Sequence, residues 1–394
     1  VKPDRTRDRR IARAVQRVTA TALGPYQSAV VRIGFGATWL LFLLRELPGR
    51  HHLYGPDGPW SWEMGRELIA ENNAFSVLLW SDSALWFEFV YGVCVLSSLL
   101  MMLGWRTRAM SVVFMVGVLS VQNRSIFVGD GGDNVVHLMA IYLVLTRCAQ
   151  VWSLDARRTA RGPAPDRTGP ILWAVLGAAL FVGTFVGGMG GDTWILVLFW
   201  GLWAAHGVWW AVNRRAPESE PRTLLDVMAN VVHNAALVVI MAEVCTIYAT
   251  AGWYKIQGSR WQDGTALYYP LKLDYFAPWP ALSGLLASSG VIVMLLTYGT
   301  VIVQVAFPFT LFNRRVKNVL LVIMILEHAA IAVLLGLPFF SLAMIAADAV
   351  FLPTAFLVGL GALAGRGRDR LTAGRSLPGR QPQGSEERPR TLVG

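Results

Sequence analysis

The chain has 394 residues, 54% of them hydrophobic and only 15% charged, with a mean hydropathy of +0.46. That balance excludes an ordinary soluble globular domain and identifies a polytopic membrane protein. A net charge of +10 would point to nucleic acid in a soluble chain, but here the membrane places the charges first, and no nucleic-acid motif is present.

Residues 1–25 form an Arg-rich segment, read as a cytoplasmic tail followed by a retained helix because no small-residue cleavage site comes after the first apolar run. A membrane-spanning helix needs about 20 mostly apolar residues. On that ruler the sequence predicts an all-α protein with about ten transmembrane helices, at 26–47, 83–103, 109–127, 133–151, 170–189, 192–212, 226–254, 285–312, 318–336 and 339–362. The fifth and sixth are joined by the short link GMGGD. After Leu363 the chain loses its apolar content and reads as a disordered basic tail, 363–394, beside anionic lipid.

Placing the N-terminus inside puts most of the 35 basic residues on the cytoplasmic side, including Arg106, Arg108, Arg147, Arg158, Arg214, Arg222, Arg314 and Lys317. Both termini of a plasma-membrane protein are then cytoplasmic, and the loop after the seventh span is outside. Cys94, Cys148 and Cys245 lie in or at the ends of apolar runs without CxxC spacing. Neither a disulfide framework nor a zinc site follows.

Between the first two spans, Tyr54, Pro56, Gly58 and Pro59 make a turn, and Trp60 to Asn72 has the character of a short helix on the membrane surface. Adjacent His51 and His52 point apart and have no third ligand nearby, so no metal site is expected. The fourth span opens with GDGGDNVVHLM, in which Asp133, Asn134 and His137 share a helix face. Two roles stand open for them: a polar site, or an Asp133 cap with His137 packed and hydrogen-bonded.

Ionisable groups inside an apolar span cost a few kcal/mol unless paired or wet. Here they are Arg32, Glu88, His233, Glu243, Glu327, His328 and Asp348. Structural pairing, for example of Arg32 with a glutamate, is expected for most of them, and Glu243 and His328 are the best candidates for lining a polar cavity.

The most informative stretch runs from Tyr248 to Phe276, YATAGWYKIQGSRWQDGTALYYPLKLDYF. Lys255 sits where an apolar helix leaves the bilayer, among Trp253, Tyr254, Trp261 and Tyr268. Desolvation disfavours an ammonium, which makes such a lysine a candidate base; anchoring by snorkelling is the alternative. Asp263 could pair with Lys255 or Arg260, and pairing with the lysine would oppose the base role.

Tyr248, Ala251-Gly252, Lys255, Trp261, Gly264 and the pair Tyr268-Tyr269 together resemble the signature of the HTTM superfamily, whose best-understood branch is the vitamin K-dependent gamma-glutamyl carboxylases. The likeness extends over about residues 26–354, through the Tyr-Gly-Pro-x-Gly turn and the segments FPFTLFNRRVKN and LPFFSLAMIAADAVFLP. The resemblance implies Lys255 as the base that deprotonates a reduced vitamin K or menaquinol-type quinol. It also implies His137 in the active-site neighbourhood, and a surround of Trp253, Tyr254, Trp261, Asp263, Tyr268, Asn134, Glu243 and His328. Nothing here corresponds to the lumenal domain with which the animal enzyme binds its protein substrates, so peptide glutamate carboxylation is not implied. Three functions follow as alternatives: an enzyme acting on a lipophilic quinol or a peptide; a non-catalytic maturation or immunity component of a secreted peptide system, as in the SdpB-like branch; and, last, a proton-coupled transporter.

Overall fold

The computed structural model describes residues 5–125, 127–162, 167–185 and 193–373, and it divides the chain into two compact units, Val1–Leu352 and Pro353–Gly394. The described residues form helices and no strand. In the first unit these are α1 (Arg5–Ala20), α2 (Pro25–Glu46), α3 (Arg50–Tyr54), α4 (Trp62–Glu71), α5 (Ala84–Leu103), α6 (Thr107–Gln122), α7 (Gly131–Val144), α8 (Leu154–Ala160) and α9 (Thr168–Phe185). They continue as α10 (Thr193–Arg215), α11 (Glu220–Gln257), α12 (Ser259–Gln262), α13 (Tyr268–Lys272), α14 (Pro280–Ala287), α15 (Gly290–Ala306), α16 (Arg314–Leu334) and α17 (Pro338–Asp348). The second unit contributes α18, Thr354–Ala373.

Local chemistry starts and stops these helices. Gly24, at φ 60°, turns the chain into α2 with Pro25 at its first position. Ser219 caps α11 by accepting from the Arg222 N–H, and Asn313 caps α16 by accepting from Arg315 and Val316. At α7 the cap is reciprocal: Asp130 accepts from the Asp133 N–H while Asp133 accepts from the Asp130 N–H.

Among the described residues seven helices are long and apolar enough to cross a membrane, or eight if Pro338–Phe351 and Thr354–Arg366 count as one broken span. Several expected spans differ from the helices found. The segments 109–127 and 133–151 became helices of 16 and 14 residues, about 24 and 21 Å long against a hydrocarbon core of about 30 Å. Residues 285–312 are broken between α14 and α15, where Ser288 closes one helix and Ser289 caps the next by accepting from the Ile292 N–H. The span expected at 339–362 is interrupted before Pro353, which has no N–H to continue a helix. The segment 1–25 carries the helix α1, and α18 runs on past Leu363 to Ala373. The GMGGD link and residues 374–394 lie outside the described residues.

The core of the first unit forms where α2 packs against α5 and α17, α6 lies between α5 and α7, and α11 runs beside α15. Small residues permit the close approaches. A Cβ on Gly34 would fall 2.5 Å from the Ala346 Cβ, and one on Gly36 would fall 2.8 Å from the Met102 backbone nitrogen. Fully buried Arg32 has no glutamate partner among the described residues, contrary to the expectation from sequence. Its guanidinium donates to the carbonyls of Met101 (2.7 Å), Met102 (2.7 Å), Cys148 (3.1 Å) and Trp152 (2.8 Å), tying α2 to the end of α5 and the chain after α7. The carbonyls take up four of its five N–H donors without a counter-charge.

These ties sort the unit into two ends. At one, Asp155 accepts from the Arg106 and Thr107 N–H groups, Arg147 donates to Asn230, and Asn230, His233 and Asn234 of α11 meet the end of α1. This is the arginine-rich end. At the other, Glu88 is bound by Arg50 (2.7 Å) and His51 (2.6 Å), and Arg124 donates to the Gly55, Trp60 and Ser61 carbonyls, holding the first loop. Glu88 therefore lies in the first turns of α5, paired, rather than isolated inside a span.

Candidate functional site

Lys255 lies in the last turn of the 38-residue helix α11. Helical side chains lean toward the N-terminus of their helix, and its half-buried amine reaches inward rather than toward the loop. Lys255 Nζ donates to Gln304 Oε1 at 2.7 Å, and Gln304 Nε2 donates to Glu327 Oε1 at 2.8 Å. Gln304 is itself buried, 14 residues into α15 and so about 21 Å from the start of that helix. Gly252 lets α11 and α15 come this close: a Cβ there would meet a Val305 side-chain carbon at 2.5 Å. The Trp261 ring lies over the amine, 5.3 Å from nitrogen to centroid.

A second polar cluster occupies the same junction of α11, α16 and α17. The Tyr248 hydroxyl lies 3.0 Å from His328 Nε2 and 3.0 Å from Asp348 Oδ2, and all three side chains are buried. His328 Nδ1 and Asp348 Oδ1 have no hydrogen-bond partner among the described residues. The His328 ring packs against Phe340, and Tyr248 packs against Phe307. Glu327 and His328 are adjacent on α16, so the Lys255–Gln304–Glu327 line and the Tyr248–His328–Asp348 cluster join through one backbone step.

Asp263 does not pair with Lys255. It accepts from the Thr265 hydroxyl at 2.5 Å and from the Thr265 N–H at 3.0 Å, and it pairs with Arg260 at 3.6 Å. Those contacts, the Thr265 hydroxyl first, hold the exposed Asp263 carboxyl below the usual carboxylate range. Among the described residues Lys255 has no direct carboxylate partner, so no ion pair holds it as ammonium.

Of the remaining residues singled out from sequence, Trp261 and His328 are at the junction. Trp253 and Tyr254 flank Lys255 in sequence but are exposed, at 62% and 73%, and face away from the bundle; Tyr268 is exposed with its ring edge-on to Tyr269. His137 is bonded elsewhere: its Nδ1 lies 2.9 Å from Gln122 Oε1, while Gln122 Nε2 donates to the Asp133 carbonyl. Asn134 is exposed on the same helix, and Glu243 is half-buried three turns before Lys255. Gln304 was missed; its only sequence signal is one amide in the apolar run VIVQVA. Tyr248, Glu327 and Asp348 were visible as motif or intramembrane groups, but not as partners of one another. No group of three or more metal-ligating side chains occurs among the described residues.

No family model, curated protein or solved structure matches the chain.

Proposed function

We propose that this integral membrane protein crosses the bilayer ten times with its arginine-rich end and both termini in the cytoplasm, and that Lys255 acts on the outer side as a general base. The substrate class is a lipophilic quinol, as the HTTM resemblance implies, or a peptide. The observation that carries this reading is the inward hydrogen bond from Lys255 to Gln304. An anchoring lysine extends its amine to water, whereas this one is held against a neutral amide under an indole face, with a carboxylate one residue further along. A proton taken up by Lys255 has the Gln304 carbonyl as its acceptor and Glu327 as the nearest compensating charge. The buried, unpartnered acceptors of His328 and Asp348 suit a reactant that brings a hydroxyl donor. The test is turnover of reduced naphthoquinones and glutamyl peptides by the purified protein. Lys255→Ala is expected to lose about 100-fold or more of the wild-type rate, the usual contribution of a positioned base, while Gln304→Leu shifts the pH profile of kcat. Equal turnover by wild type and Lys255→Ala would remove the base.

A second reading, a non-catalytic component of a secreted peptide system, is favoured by the aromatic exposure beyond Lys255, where Tyr275 and Trp279 stand 86% and 59% exposed. It expects peptide binding that survives Lys255→Ala and is lost in Tyr275→Ala/Trp279→Ala, measured by crosslinking.

A further inference from the structure

A large cavity lies away from Lys255, between α5 and α6 on one wall and α9 and α10 on the other. Its volume is about 1970 Å³, roughly twice the upper end of pockets that take drug-sized ligands, which is about 1,000 Å³. It extends from Trp80, ahead of α5, and Trp86, in its first turn, to the arginine-rich end of the unit. The far wall is stiff: Trp173 and Trp203 stack at 4.1 Å, and each indole N–H donates to the other's carbonyl at 2.9 Å, locking α9 to α10. Val112 and Val116 on one side face a crevice that Ala179 and Phe199 line from the other. Along most of its length it offers only hydrocarbon.

One end differs sharply. Arg106, Arg108, Arg147, Arg158 and Arg222 line it, against the single carboxylate of Asp155. Asp155 is already engaged by Arg158, at 3.2 Å, and by two backbone N–H groups, and neighbouring Asp226 is shared between Arg147 and Arg222. The Arg108 guanidinium has neither an ion pair nor a hydrogen bond among the described residues. Its exposed guanidinium lies over the Trp209 ring at 4.6 Å, and Arg222 approaches the same ring at 5.8 Å. Positive charge therefore exceeds negative at one mouth of an apolar slot whose helices belong in a bilayer.

We infer that a phospholipid with an anionic headgroup occupies this crevice, its acyl chains between the two helix pairs and its phosphate at Arg108, Arg147 and Arg222. The charge excess selects an anionic headgroup over a zwitterionic one, and the guanidinium forks match phosphate oxygens. The long apolar walls select a lipid over free phosphate. Neither part of the argument depends on the chemistry proposed at Lys255.

Native mass spectrometry of the delipidated full chain in detergent tests this, with phosphatidylglycerol, phosphatidylcholine or inorganic phosphate added. Phosphatidylglycerol is expected to bind more tightly than phosphatidylcholine. Arg108→Gln is expected to weaken it about fivefold, the effect of one arginine near an anionic lipid, with Arg314→Gln on α16 as the charge-matched control. Ala179→Trp, which fills the apolar wall without touching a charge, is expected to weaken binding of the same lipid. Equal retention of both lipids, an unchanged affinity in Arg108→Gln, occupancy reproduced by inorganic phosphate alone, or a second copy of the chain in place of lipid would each overturn the assignment.

Discussion

Arg32 shows how a charge can be buried without a counter-charge. Its four carbonyl partners come from the end of α5 and the chain after α7; removing the guanidinium would leave Met101 with the Gly104 N–H but strip the bond from Met102, Cys148 and Trp152, each at a cost of about 1–3 kcal/mol. Arg32→Ala is therefore expected to lower thermal stability in detergent by about 3 kcal/mol or more, and Arg32→Lys to rescue only part, because a single ammonium cannot reach four acceptors in a fixed fork. Asp263 gives a pH effect of known sign. Its folded carboxyl is held below its unfolded value, so its contribution is complete above the ordinary aspartate range, near 3.9, and disappears as the pH falls through the lower folded value. Melting temperatures of wild type and Asp263→Asn are expected to converge on acidification toward pH 3 and to differ at pH 6. At this scale the sequence was partly legible. Lys255 stood out because its neighbours form a recognisable pattern. The partners of Arg32 did not, since a backbone carbonyl carries no label in the sequence, and Gln304 was hidden because one amide in an apolar helix is compatible with ordinary packing.

Among the helices, close approach is set by glycines on α2. A methyl on Gly36 would sit 2.8 Å from the backbone nitrogen of Met102, and 3.0 Å from its Cα, atoms that cannot rotate away as a side chain would. Gly36→Ala is expected to destabilise the α2–α5 pair by about 1–3 kcal/mol, the usual cost of overpacking, seen as a lower melting temperature with no change in helix content by circular dichroism. Gly92 of α5, with nothing within 4 Å of its added Cβ, is the matched control and should accept alanine. The existence of the long helices was readable from hydropathy alone; their breaks were not. The 285–312 segment is apolar on both sides of Ser288-Ser289-Gly290, and an apolar average cannot show that Ser288 ends one helix and Ser289 begins another. The short helices α6 and α7 were overestimated because apolar residues scattered beyond Asn123 and Leu145, such as Phe127 and Val151, drew the expected spans past the residues that close them.

For the whole molecule, the arginine-rich end and the Lys255 loop lie at opposite ends of α11, whose residues 230–255 span about 38 Å. Glu218→Cys and Ser259→Cys place exposed reporters on either side. An impermeant maleimide is expected to label Ser259→Cys in intact cells and Glu218→Cys only after permeabilisation, with little background because Cys94 and Cys148 are buried and Cys245 is half-buried. The reverse pattern would invert the proposed orientation and, with it, the access of any outer substrate to Lys255.

The clasp on α1 also sets an order of assembly. Asn230 and Asn234 donate to the Thr19, Val18 and Thr21 carbonyls, and His233, whose Nδ1 accepts from the Arg147 N–H, is left with Nε2 to donate to Leu23. The contact joins residues more than 200 positions apart, so α1 meets these partners only after the ribosome has added more than 200 further residues. Until then those carbonyls must be satisfied by water or by the insertion machinery. Truncations that stop before Asn230 should leave α1 open to protease, while those extending through α11 should protect it.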